Sequence, residues 1–122
     1  MTAILVDTSI WRKYFAGVAS ARGLGVLLDE GAVLVHPFVL GELALGGLSE
    51  RQATLFSRLP EARVQEHAEV LAFINHRRLE HKGIGWVDAH LLASALVEGA
   101  FLWSADRALA MSARSLGVAF NP

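Results

Sequence analysis

Two aspartates follow short apolar runs that have the composition of buried strands. Asp7 comes directly after residues 3–6, and Asp106 follows residues 101–103. Continuous apolar runs of this length are typical of strands in parallel sheets, and ligands of such folds bind beyond the carboxyl ends of the strands. Taken alone, each aspartate is better explained as the N-cap of the helix that follows it.

Two further acids fall within segments that are otherwise apolar. Glu42 is the only charged residue between positions 38 and 48, and a buried acid is costly unless it is paired or bound to a metal. Asp88 shares a helical face with Leu91 and Leu92, so it points toward the core or into a cavity. The alternatives are a solvated position or an arginine partner for Glu42, and a helix N-cap for Asp88.

The four acids together suggest metal-assisted phosphodiester chemistry. Carboxylates that are gathered at one edge of a sheet repel one another, and a divalent cation relieves the repulsion by taking them as oxygen ligands. A ligand set without Cys or His suits Mg²⁺ or Mn²⁺ better than Zn²⁺. A cation in such a site lowers the pKa of a bound water and stabilises the departing oxygen. Ser104, two residues before Asp106, is placed to support the site by a hydrogen bond or simply to end the strand.

The elements that must position these acids alternate between strand and helix. This alternation predicts a three-layer α/β/α sandwich with a short, mostly parallel sheet, and the length of 122 residues fits one domain over residues 1–122. The predicted strands cover residues 3–6, 33–35, 101–103 and 118–120, with a short strand near 64–65. The predicted helices cover residues 8–15 (capped by Thr8 or Ser9), 24–30, 37–45, 49–59, 66–80, 88–98 and 106–115.

Composition places further bounds on the function. The chain has no cysteine, which excludes a thiolate metal site and a disulfide framework. We find neither a signal peptide nor an apolar run that is long enough for a membrane helix, and expect a soluble, cytoplasmic protein. The net charge of −1 does not indicate nucleic-acid binding. It does not exclude it either, because acids that hold a metal lower the net charge without repelling phosphate.

Four short segments in this order resemble the PIN-domain family, and within it the VapC-type toxins of toxin–antitoxin pairs. Any one segment is a weak signal, whereas all four on a compatible pattern of strands and helices are strong. The matching segments are Leu5-Val6-Asp7-Thr8-Ser9, Leu40-Gly41-Glu42-Leu43, Val87 to Ala95 with Asp88, and Trp103-Ser104-Ala105-Asp106-Arg107-Ala108-Leu109.

The resemblance implies a Mg²⁺- or Mn²⁺-dependent endoribonuclease. It assigns the acidic metal-site roles to Asp7, Glu42, Asp88 and Asp106, and Ser104 matches a hydroxyl position that accompanies the last acid. It also implies a homodimer that a cognate antitoxin protein inhibits, and a transfer RNA or messenger RNA as the substrate. The absence of a net basic charge is the one departure from this expectation.

Two other functions stay open at this stage. The first is a non-catalytic module that keeps the PIN fold to bind a partner, although the intact acids argue against it. The second is a receiver-like signalling domain, which also gathers acids around Mg²⁺. That class expects a lysine after its last strand, and this chain ends at Asn121-Pro122.

Several basic residues and the five histidines can be interpreted either as functional groups or as ordinary surface residues. Arg12, Lys13 and Arg107 adjoin the acids and are candidates for RNA phosphate contacts, although solvated charges are commoner. The basic patch of residues 77, 78 and 82 could bind RNA, contact a dimer partner, or simply be solvated. We predict that most of the five histidines are surface or interface groups, and that His90 is exposed because it lies opposite the apolar stripe of its helix.

Overall fold

The computed structural model describes residues 2–122, and a parallel sheet of three short strands lies at its centre. Strand β1 (Ile4–Val6) lies between β2 (Val33–Leu34) and β3 (Phe101–Trp103). Single bridges extend this sheet on both sides, from Val35 to Glu61 and from Leu102 to Ala119. The three predicted strands are therefore confirmed: 101–103 with the predicted bounds, and 3–6 and 33–35 each shorter by one residue.

The register of the sheet brings the chain after β1 next to the chain after β3. Val6 pairs with Trp103, and the N–H of Asp7 still donates to the carbonyl of Trp103 at 2.9 Å. Parallel strands end at the same edge of a sheet, so Asp7 and Ser104 emerge side by side at the carboxyl edge. The sequence separation of 97 residues between them is thus closed by strand pairing.

Seven α-helices pack around the sheet within residues 2–122. Right-handed crossovers, the rule for parallel strands, place the connection from β1 to β2 and the connection from β2 to β3 on opposite faces, because β2 and β3 lie on opposite sides of β1. This arrangement is the predicted α/β/α sandwich. The helices are α1 (Thr8–Phe15), α2 (Gly23–Asp29), α3 (Pro37–Gly46), α4 (Glu50–Ser57), α5 (His67–Arg77), α6 (Trp86–Glu98) and α7 (Arg107–Ser115), with one turn of 3₁₀ helix at Ala19–Ala21.

An aromatic cluster fixes α1 against the neighbouring helices. The Trp11 side chain is fully buried, and its ring centroid lies 4.7 Å from that of Phe56 and 5.7 Å from that of Phe15. Fully burying a large side chain contributes about 2–3 kcal/mol. This cluster therefore holds the first turn of α1, where Asp7 and Thr8 lie, in a fixed position on the sheet.

Several predicted elements differ from the structure. Helices α4 and α5, predicted over 49–59 and 66–80, end earlier, at Ser57 and Arg77, and the chain leaves α5 through Arg78 in the left-handed conformation. Helix α6 begins at Trp86, two residues earlier than predicted, because Gly85 is its N-cap and Asp88 occupies the third helical position. Residues 64–65 form no strand, since the outer strand position beside β2 is taken by the bridge at Glu61. The predicted strand at 118–120 is reduced to one bridge, although backbone hydrogen bonds on both sides of Leu102 hold it to β3.

Among the residues that the structure describes, no helix is both long and apolar enough to cross a membrane.

Candidate active site

Asp7 stands between the end of β1 and the start of α1, and three donors fix its carboxylate. Oδ1 accepts a hydrogen bond from the N–H of Thr8 at 2.8 Å. Oδ2 accepts from the hydroxyls of Ser9 and Ser104, each at 2.8 Å. The residue is 7% exposed, so these neutral dipoles replace most of the water that an exposed carboxylate would have. The structure confirms Asp7 as an N-cap, so Thr8 and Ser9 do not cap this helix as predicted.

Glu42 lies in the middle of α3 and is held from α1. The Thr8 hydroxyl donates to Oε1 of Glu42 at 2.7 Å, across 34 residues of sequence. Thr8 itself is buried, so its hydroxyl has few competing solvent partners. The acid that stood alone in an apolar segment is therefore aimed at the carboxyl edge of the sheet.

Asp106 is the N-cap of α7, and Ser104 connects it to Asp7. Oδ1 of Asp106 accepts from the N–H of Leu109 at 2.9 Å, and the N–H of Asp106 donates to the Ser104 hydroxyl oxygen at 3.0 Å. The same hydroxyl donates to Asp7. A continuous chain of hydrogen bonds therefore links Glu42, Thr8, Asp7, Ser104 and Asp106.

Asp88 enters the site from the first turn of α6. Its Oδ2 accepts from the N–H of Gly85 at 3.0 Å. Burial raises the pKa of Asp88 above its ordinary value; the hydrogen bond from Gly85 opposes this rise, and the charges of Asp7, Asp106 and Glu42 add to it. The charges of the other three predicted acids thus reach Asp88, although the four come from separate segments.

The donor chemistry fits a hydrated divalent cation. Within residues 2–122, no three acidic or histidine side chains come close enough to form a complete set of metal ligands by themselves. Mg²⁺ usually keeps several waters and uses only one or two protein carboxylates. An open group of acids that repel one another at Asp88 therefore suits Mg²⁺ or Mn²⁺ and would not enclose a cation that needs a full protein cage.

The predicted basic contacts are divided between two places. Arg12, on α1, lines a cavity of about 310 Å³ with residues from α3 and the turn after it, and Lys13 beside it is partly buried. Arg107 follows Asp106 directly and lines another cavity, together with Arg77 and Lys82.

Sequence reasoning missed the hydroxyls of Thr8 and Ser9 as parts of the site. Both were considered only as helix caps, whereas Thr8 holds Glu42 and Ser9 holds Asp7. The Ser9 hydroxyl oxygen also accepts from the N–H of Ala105 at 3.0 Å, which ties α1 to the segment before α7. A signal was available, because two adjacent hydroxyl residues directly after a strand and an acid can reach neighbouring carboxylates.

Three of the five histidines (His67, His76 and His81) are exposed, which agrees with the prediction for most of them, but the prediction that His90 is exposed is wrong. His36 and His90 are both completely buried, and burial lowers the pKa of each; His90 lowers the pKa of His36 further, to about 4, and His67 that of His90. His90 is buried because every residue of α6 from Ala89 to Ala95 is buried. The helix packs against β3 and α5 at once, so it has no solvent face at this point.

Comparison with known proteins agrees with this fold. Residues 4–114 match the family model for the PIN domain. Two proteins from Mycobacterium tuberculosis, strains CDC 1551 / Oshkosh and ATCC 25618 / H37Rv, are both named Ribonuclease VapC32; each is 44% identical over 119 residues, which is 95% of this chain and 94% of the relative.

A solved structure supports the same architecture. The crystal structure of PAE2754 from Pyrobaculum aerophilum matches 90% of this chain and 78% of its own, with a TM-score of 0.61 and 17% sequence identity. At that identity the likeness concerns the fold alone. Because the family model spans nearly the whole chain and the relatives match it end to end, the chain belongs to the PIN-domain family.

Proposed function

We propose that this protein is a Mg²⁺- or Mn²⁺-dependent endoribonuclease and the toxin of a VapBC-type toxin–antitoxin pair. Asp7, Glu42, Asp88 and Asp106 hold the cation or cations, and Ser104 supports them. The observation that carries the proposal is the hydrogen-bonded chain that joins the carboxylates of Glu42 and Asp7 to the backbone N–H of Asp106, from separate segments. The relatives named Ribonuclease VapC32 support it.

The hydroxyl network explains how the acids are made ready for catalysis. When bound, the cation supplies positive charge beside the scissile phosphate and makes a neighbouring water more acidic. The chain itself supplies fixed geometry, because Thr8, Ser9 and Ser104 each donate to a carboxylate oxygen. Groups that are already oriented need no reorganisation when charge develops in the transition state. Hydrolysis then leaves a 5′-phosphate and a 3′-hydroxyl.

We further propose that the substrate is a transfer RNA or a messenger RNA and that a cognate antitoxin protein inhibits the enzyme. Large apolar side chains are exposed on several helices, with Leu45 on α3 91% exposed. Exposed apolar surface on so small a chain favours burial against another protein, and we propose a homodimer. Sedimentation of the purified protein, alone and with the antitoxin, measures both associations.

The non-catalytic binding module remains the competing function, and the four acids distinguish the two. A module that only binds a partner has no need to place three carboxylates where their charges raise the pKa of Asp88. Membership of the PIN-domain family leaves no support for the receiver-like alternative.

Cleavage of total cellular RNA tests the proposal, with and without Mg²⁺ or Mn²⁺, beside the Asp7→Asn variant. Asparagine keeps an oxygen for the N–H of Thr8 and places an amide toward the two serine hydroxyls, which can rotate to accept. The fold should therefore survive while a metal ligand is lost. We expect discrete metal-dependent fragments with 5′-phosphate ends from the wild type, and a rate at least about a hundredfold lower from the variant.

Asp29→Asn is the matched control, because it makes the same chemical change at an exposed position at the end of α2. This variant should cleave like the wild type. Full activity of Asp7→Asn would refute the assignment of the site. Intact RNA in every lane, from folded protein free of inhibitor, would favour the non-catalytic module.

A further inference from the structure

A cavity of about 660 Å³ with a basic wall lies between the end of α5 and one face of α7. Four of its lining residues are cationic: Arg77, Arg78, Lys82 and Arg107. No acidic residue is among those that line it. The whole chain has 11 basic and 12 acidic residues, so this cavity is a local concentration of positive charge in a nearly neutral protein.

The cavity begins next to the acids and leads away from them. Arg107, the first residue of α7, directly follows Asp106. Arg107, Met111 and Ser115 all line the cavity, and their spacing of four places them along one face of the helix. At 1.5 Å per residue this face is about 12 Å long, which is about three nucleotide steps at the 3.4 Å rise of one duplex strand.

The lining combines an apolar floor with charged edges. Leu79, Ala108 and Met111 contribute the apolar part, and the Met111 side chain is 55% exposed. The four cations are exposed to solvent. Arginine binds phosphate through paired hydrogen bonds and stacks on planar rings, and an apolar floor accepts ribose or a base. This combination suits a nucleic-acid strand.

The backbone at the edge of the cavity is unusual. Arg78 is the C-cap of α5 in the left-handed conformation, with a φ of 54°, and His81 has a φ of 61°. Glycine or asparagine is the usual residue at such a position. Holding other residues there costs free energy, and such strain tends to persist at functional segments. An arginine at this C-cap keeps a cation at the mouth of the cavity, where glycine would remove it.

We propose that this cavity, the basic cleft, binds the sugar–phosphate backbone of RNA on one side of the bond that is cleaved. The proposal rests on the proposed endoribonuclease function. Arg77, Arg78 and Lys82 hold phosphates of the flanking strand, and Arg107 holds the phosphate nearest the acids. RNA is favoured over an acidic protein segment because Arg107, which lines the cleft, directly follows Asp106 of the proposed active site.

RNA binding in a cleavage-deficient background tests the basic cleft. The Asp7→Asn protein is titrated, in EDTA, into a fluorescein-labelled 20-nucleotide RNA of mixed sequence, and affinity is measured by anisotropy over a range of salt concentrations. The cleft variant carries Arg77→Gln, Arg78→Asn and Lys82→Gln; asparagine tolerates the left-handed backbone at position 78. Arg107 is left unchanged because it adjoins Asp106.

The matched control carries Arg22→Gln, Arg51→Gln and Arg58→Gln, which removes the same charge from exposed positions outside the cleft. Each phosphate contact with a single strand contributes about 0.7 to the slope of log affinity against log salt. We expect the cleft variant to lose about 2 from this slope and to bind at least about tenfold more weakly at low salt. The control should retain the slope of the parent protein.

Equal losses in the two variants, or no loss in the cleft variant, would overturn the proposal. Binding of polyglutamate that depends on the cleft, with RNA binding unchanged, would instead assign the cleft to an acidic protein. If the triple variant fails to fold, Lys82→Gln alone should lower the slope by about 0.7. RNA cleavage by the wild type tests the proposed ribonuclease function separately. If the wild type cleaves RNA but the cleft variant binds RNA normally, the proposal for the basic cleft is refuted and the ribonuclease function is not.

Discussion

His36 makes the stability of the protein depend on pH. It is the N-cap of α3, the helix that carries Glu42, and its Nδ1 accepts a hydrogen bond from the N–H of Phe38 at 3.0 Å. Its side chain is fully buried, and its Nε2 has no hydrogen-bond partner in the structure. Burial, and then the charge of His90, lowers the pKa of His36 from 6.5 to about 4.

The sign of the effect follows from proton binding in the two states. An unfolded histidine binds a proton near pH 6.5, whereas His36 in the folded protein stays neutral down to about pH 4. The unfolded state therefore binds more protons in this interval, and stability falls as the pH falls. At about 1.4 kcal/mol per pH unit the total loss is about 3 kcal/mol, of which about 2 kcal/mol is lost between pH 7 and pH 5.

The His36→Asn variant isolates this contribution. Asparagine is among the best N-caps, so it can still accept from the N–H of Phe38, but it does not titrate. Urea unfolding followed by circular dichroism at pH 7, 6 and 5 gives the free energy of unfolding of both proteins. Between pH 7 and pH 5, we expect the free energy of unfolding of the variant to fall by about 2 kcal/mol less than that of the wild type. A constant cost of the smaller side chain does not affect this difference.

His76→Asn is the control, because His76 is an exposed histidine near the end of α5. Its pH profile should run parallel to that of the wild type. Parallel profiles for wild type and His36→Asn would refute the reasoning, since they would mean that His36 titrates alike in the folded and unfolded states. Effects of the acids are shared by all three proteins and cancel in the comparison, whereas the coupling between His36 and His90 is part of the measured difference.

Three further substitutions test the site and its surroundings. Asp88→Asn should raise the melting temperature in EDTA, because asparagine still accepts from the N–H of Gly85 but removes a charge that burial disfavours. Added Mg²⁺ should raise the melting temperature of the wild type only, and equal melting temperatures in EDTA would contradict this prediction. Thr8→Val keeps the shape of the side chain but removes the hydrogen bond to Glu42. Because one hydrogen bond contributes about 1 kcal/mol, the initial rate of RNA cleavage should fall about tenfold, and an unchanged rate would exclude a role for this contact. Ser49→Ala breaks the capping box of α4 and should cost about 1 kcal/mol in urea unfolding with no change in cleavage, whereas a lost activity would show that α4 matters to the site.

The four candidate acids stand out in the sequence because each one breaks a local pattern. Asp7 and Asp106 follow apolar strands, and Glu42 interrupts an apolar helix. Such departures are visible along the chain without knowledge of the fold. Once the strands are parallel, Asp7 and Asp106 must lie at the same edge of the sheet, whereas the positions of Glu42 and Asp88 depend on how α3 and α6 pack.

The contacts that orient the acids could not be found in the same way. The hydroxyl of Ser104 reaches Asp7 across 97 residues, and that of Thr8 reaches Glu42 across 34. Such pairs depend on the register between strands and on the position of α1 against α3, which no local pattern encodes. His90 was misjudged for a related reason: a helical wheel finds one buried face, and α6 is buried on every side from Ala89 to Ala95.

Capping and ligand binding are compatible roles for the same carboxylate. Asp7 and Asp106 are both N-caps, as the simpler explanation predicted, and each uses Oδ1 for the N–H of its helix. In Asp7 the second oxygen, Oδ2, accepts from the hydroxyls of Ser9 and Ser104 instead. A parallel strand that leads into a helix places an acid at the positive end of the helix and at the edge of the sheet together. The same turn that stabilises the fold thereby supplies an oriented carboxylate. Replacement of these aspartates by asparagine keeps the cap and tests the proposed ligand role alone, whereas replacement by alanine would remove both.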